Sequence, residues 1–162
     1  MRTITVGFSR PKKWNPLSWA IMKAQGAEYS HVYMKFYSSS LERELIYQAS
    51  GLQVNFVGSK LFNDHHLTVH EFQFQISEES HKKALQFAVD NAGKPYSIKQ
   101  LFSILSYISI NKPLFKDGRS AYVCSELIGQ MLKEDLGIKV EQDLDLIMPK
   151  DIYQILLKEF YG

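Results

Sequence analysis

"AYVCSELIGQML", residues 121–132, carries the one cysteine of a 162-residue chain. Leu127, Ile128, Met131 and Leu132 recur at helical spacing, so the stretch predicts a helix with an apolar inner face, closed by Gly137. Cys124 then stands in the first turn. A thiol there feels the positive end of the helix dipole, which favours the thiolate. The free N–H groups of that turn can also form part of an oxyanion hole. The competing reading is a small, inert core residue. Which one holds depends on whether the rest of the chain supplies a base.

Upstream, "TITVGF" reads as a short strand, followed by a basic, proline-containing segment. "PLSWAIMKAQG" predicts a helix, with Pro16 near its start, Leu17, Ala20, Ile21 and Ala24 on one face, and Gly26 as a stop. "SHVYMKFY" alternates, setting Val32, Met34 and Phe36 opposite His31, Tyr33 and Lys35. "ELIYQAS" and "LQVNFVG" are two further strands around a turn at Gly51, and "HLTVHEFQFQI" is a longer one with Phe72, Phe74 and Ile76 on one face. Helices follow. "SEESHKKALQFAVDNAG" has Ser77 as N-cap and Glu78 and Glu79 in its first turn. Next come "SIKQLFSILSYI", the turn-like "KDGRS", the Cys124 helix, and "MPKDIYQILLKEF" from Pro149. A helix, a block of antiparallel strands and then helices predict an α+β fold, in a single domain over residues 1–162.

The base for a thiol is best a histidine, whose pKa suits proton transfer near neutrality. Of the five, His81 lies in a charge-rich helix and reads as solvated, while His65 and His66 sit in the polar turn "NDHHL". His31 opens a strand and can project from a rigid sheet into a cleft. Gln48, on the neighbouring strand, is an uncharged side chain able to orient the imidazole. Residue by residue, the trio remains open to structural readings.

"YSHVYMKF", "IYQASGLQV", "AGKPYS" and "YVCSELI" occur in this order, with "IMPKDIYQIL" after them. Together they resemble the permuted papain-like amidases, the YiiX-like branch of the NlpC-type cysteine peptidase superfamily, over residues 29 to 155. The resemblance implies a permuted papain-like fold in which the histidine strand precedes the cysteine helix. It implies Cys124 as nucleophile, His31 as base and Gln48 as third polar residue, where related bacterial proteins usually have glutamate. Tyr96, Tyr122 and Ser30 are its substrate-side residues, core packing being an equal reading for the tyrosines.

The activity implied is hydrolysis of an amide in a small peptide, such as a cell-wall stem peptide. His31 would deprotonate Cys124, with a resting thiolate–imidazolium pair as one form of the couple. The same resemblance reaches lecithin:retinol acyltransferase-like enzymes, which makes an acyl-lipid thioesterase or transferase the alternative. A non-catalytic binding module on the same fold is a third reading. "SRPKKWNPLSWAIMK" mixes cations with Trp14 and Trp19 and could rest on an anionic membrane. The preferred reading is a substrate-side loop and an ordinary helix with two packed tryptophans.

Bulk properties exclude more than they choose. A net charge of +2 without a basic stripe argues against nucleic acid. One cysteine forms no internal disulfide, and the N-terminus lacks a signal-peptide pattern, so a cytoplasmic protein is expected. No cofactor is expected. "HHLTVH" invites a metal reading, but residues four apart on a strand lie far apart and nothing completes the site. "VGSK" lacks the phosphate-loop spacing. Glu141, Asp143 and Asp145 read as a solvated loop. Substrate-side loops are expected at residues 9–29 and 110–120.

Overall fold

The computed structural model describes residues 1–110 and 121–162, the side chains of residues 108–110 excepted; the turn expected at "KDGRS" lies outside the described residues. The first half of the chain runs β1 (Arg2–Pro11), α1 (Pro16–Gln25), β2 (His31–Ser38), β3 (Arg43–Ser50), β4 (Gln53–Gly58), α2 (Ser59–His65) and β5 (His66–Ile76). Four helices follow: α3 (Glu78–Asn91), α4 (Ile98–Ile110), α5 (Cys124–Glu134) and α6 (Pro149–Tyr161). The strands form one sheet in the order β4-β3-β2-β1-β5, every neighbouring pair antiparallel. The architecture is α+β, as expected.

The alternation read from the sequence sets the faces of the sheet. Ile4, Val6 and Phe8 of β1, Val32, Met34 and Phe36 of β2, and Tyr47 and Ala49 of β3 all point to one buried side. There they meet Leu127, Ile128, Met131 and Leu132 of α5, all fully buried, and Ile152 and Leu156 of α6. Burying side chains of this kind contributes about 1.5–3 kcal/mol each, which anchors the N-terminus of α5 against the sheet. On the opposite face Tyr33 and Ile46 pack on Phe62 of α2. Gly7 is required beneath this layer, because a Cβ there would collide with the Tyr33 ring.

Three local expectations change. β1 runs on through Arg10 and Pro11, which the sequence assigned to a basic loop, because β5 pairs with it along its whole length, from Arg2↔Ile76 to Pro11↔His66. The segment before β5 is the short helix α2, with Phe62 as its buried residue, instead of a polar turn. α1 is capped as expected, by the Asn15 side chain accepting from the Ser18 N–H at 2.9 Å, Pro16 in its first turn and Gly26 at φ 61°. Its tryptophans are not packed, however: Trp14 is 78% and Trp19 51% exposed. The helix is held instead by Ile21, which joins Leu101 and Ile104 of α4, Val123 and Met148 in a second apolar cluster. Among the described residues no helix is long and apolar enough to cross a membrane.

Candidate active site

His31 is the first residue of β2 and pairs with Ser9 of β1. On the other side, Met34 pairs with Tyr47, so the ladder sets Gln48 on the same sheet face as His31. The two side chains meet: His31 Nε2 and Gln48 Oε1 lie 2.7 Å apart. Gln48 Nε2 in turn donates to Asn55 Oδ1 at 3.5 Å, which orients the amide. An amide oxygen only accepts, so Nε2 carries the ring proton and Nδ1 keeps its lone pair as a base.

Cys124 is the first helical residue of α5, behind an N-cap, Val123, that offers no side-chain capping bond. The turn's N–H groups are thus left for another acceptor. The backbone N–H groups of Val32, Ser125 and Cys124 reach the sulfur and act to lower its pKa. Burial outweighs them and pushes the thiol above its ordinary value. Burial first, then the neighbouring His66, push His31 down to about 3, against the Gln48 hydrogen bond, which acts the other way. A low dielectric disfavours whichever form is charged. Burial therefore favours the neutral form of each group over a thiolate–imidazolium pair.

His31 and Cys124 line one cleft of about 220 Å³, where the beginning of β2 meets the N-terminus of α5. Ser30 and Tyr96 line it too; Ser30 is held by Ser18 through their hydroxyls. Leu17 and Ile21 of α1 and Ile98 of α4 make its apolar wall. Tyr122 does not line the cleft; it packs in the core beside Cys124, its backbone bridged to Tyr96. Larger grooves elsewhere, around Arg2 and His81, contain no thiol.

His66 is the cleft residue that sequence reasoning missed. It opens β5, stacks on Phe62 with centroids 4.5 Å apart, and stands 5.5 Å from the His31 ring. Only its pairing with Pro11 in the β1–β5 ladder places it there, and no local signal announces that pairing. His81 is half-buried, one side of its ring against Phe36 and the residue lining a surface groove with Arg2 and Tyr37. His70 packs on Tyr29 and Tyr153. Of the expected substrate-side loops, residues 111–120 lie outside the described residues.

The α+β fold, a five-stranded antiparallel sheet packed against helices, has a solved counterpart. The fold is similar to that of the metalloprotein YiiX from Escherichia coli O157:H7, with a TM-score of 0.63 and 24% identity, over 99% of this chain and 82% of that one. No family model and no curated protein matches the chain. As for a metal, the described residues gather no group of three His, Cys, Asp or Glu able to hold one. The donor set of the described residues therefore does not fit a resident ion.

Proposed function

We propose that this chain is a cysteine-dependent hydrolase of the permuted papain-like kind, cleaving an amide bond in a small peptide such as a cell-wall stem peptide. One observation carries the reading: the cleft holds a thiol ringed by three backbone N–H groups together with a histidine kept in the Nε2–H tautomer by Gln48. The thiol starts neutral. As its sulfur bonds to the substrate carbonyl carbon, its proton passes to His31 Nδ1, and the oxyanion forms near the Cys124 N–H. His31 then gives that proton to the leaving amine as the C–N bond breaks. Water, deprotonated by His31, releases the acyl group from sulfur. Gln48 stabilises the transient imidazolium only as a dipole, so the His31–Cys124 couple separates charge just in the transition state.

The test is turnover of stem-peptide amides by wild type, Cys124→Ala and His31→Ala, with an acyl-enzyme adduct sought by mass spectrometry. Both variants should lose turnover while keeping a cooperative melt; full activity in either overturns the mechanism. A second reading, hydrolysis or transfer of a lipid acyl group, is favoured by the apolar wall of Leu17, Ile21, Ala49 and Ile98. Long-chain acyl thioesters assayed beside the peptides decide between the two.

A further inference from the structure

We infer that the face around the cleft mouth docks on an anionic lipid bilayer. The face is built by the β1–α1 connection, α1 and the start of α4. Both tryptophans of the chain stand on it, Trp14 and Trp19 (78% and 51% exposed), with Ile98 and Phe102 of α4 also about half exposed, at 51% and 53%. Large apolar side chains left in water at one place mark an interaction surface. The same elements reach the opening: Asn15, next to Trp14 in sequence, and Leu17 and Ile98 line the cleft itself.

Charge selects the partner. Residues 9–27 and 92–110 contain Arg10, Lys12, Lys13, Lys23, Lys94 and Lys99 and none of the chain's 17 carboxylates. The carboxylates that flank the two segments are Glu28, after the Gly26 cap of α1, and Asp90, near the end of α3. The rest of the chain is net acidic, so the near-zero total hides a one-sided distribution. None of the six cations is paired with a carboxylate among the described residues; Lys23 lies 6.0 Å over the Trp19 ring and Lys94 5.4 Å over that of Tyr122. Five of the six are lysines. Protein interfaces deplete lysine and favour arginine, whereas tryptophan with lysine is the mixture that sits at the boundary between headgroups and acyl chains. The surface would bring the cleft mouth to the bilayer whatever chemistry Cys124 performs.

The experiment is co-sedimentation with phosphatidylcholine vesicles, with and without phosphatidylserine, while tryptophan emission is followed. Because the fluorophores are Trp14 and Trp19 alone, the emission reports this face. Wild type should pellet with the anionic vesicles only, its emission shifting to the blue, and high salt should release it. Lys12→Ala with Lys13→Ala should weaken binding roughly 25-fold, about fivefold for each cation brought near an anionic surface. Trp14→Ser with Trp19→Ser should abolish pelleting while leaving the thermal melt unchanged. Cys124→Ser should pellet like wild type, which separates docking from catalysis. No pelleting with either vesicle overturns the inference, as does undiminished pelleting of the tryptophan variant. Capture by an acidic polypeptide without vesicle binding would assign the face to a protein and overturn it equally.

Discussion

His31 gives the most discriminating test of the site, because its proton affinity separates a neutral couple from an ion pair. The folded ring is held at about 3 by burial, against about 6.5 when free. Between those values the unfolded chain takes up a proton that the folded chain refuses. Its contribution to stability is therefore complete above pH 6.5 and is lost as pH falls. At about 1.36 kcal/mol per unit, pH 5 removes about 2 kcal/mol, and the full gap, reached only below pH 3, is worth about 5 kcal/mol. At 8% exposed, the ring has little solvent screening to reduce this figure. The perturbation is His31→Asn, which keeps a polar side chain and removes the titration. Urea unfolding from pH 7 to pH 4.5 should show wild type losing stability faster than the variant by that margin. The comparison cancels other groups, His66 and His81 included, whose affinities burial also lowers. Parallel curves, or an imidazole signal in NMR that titrates above 6.5, would refute the neutral couple and restore a thiolate–imidazolium pair.

Other outcomes follow from the same geometry. Cys124 alkylation by iodoacetamide should be slow at neutrality and rise only above the ordinary thiol range, since burial pushes that thiol up; fast reaction at pH 6 would contradict this. Gln48→Ala should cost about 1–3 kcal/mol by urea unfolding, through an orphaned buried donor, and reduce turnover by freeing the His31 tautomer. Gln48→Glu should restore turnover and shift the acid limb of the pH–rate profile upward, because a carboxylate raises the imidazole's proton affinity. Gly7→Ala should destabilise the fold by about 1–3 kcal/mol through collision with Tyr33, without entering the cleft.

The sheet and the large helices were legible because their burial is periodic. Val32, Met34 and Phe36 alternate, and Leu127, Ile128, Met131 and Leu132 repeat along one helical face; each pattern needs only its own neighbours to be read. Helix α2 escaped because Phe62 is its one buried residue, too little for a period. His66 escaped because its position in the cleft is a property of the β1–β5 register. Trp14 and Trp19 were misread for a related reason: an apolar residue beside a helix reads as packed unless the partner surface is known. In this fold Ile21 occupies the contact with α4, and the tryptophans remain in water.

By itself, the sequence determined the α+β order of elements, the placement of Cys124 in a first helical turn, and the cation-rich, carboxylate-free segments, since each is a local pattern of side-chain type. Only the tertiary structure decided that His31 and Cys124 share a cleft with His66, that Gln48 meets the His31 ring, and that burial there disfavours the charged form of both thiol and imidazole. Proximity across strands comes from register, and proton affinity comes from burial. Both depend on residues distant in the chain, which no local pattern encodes.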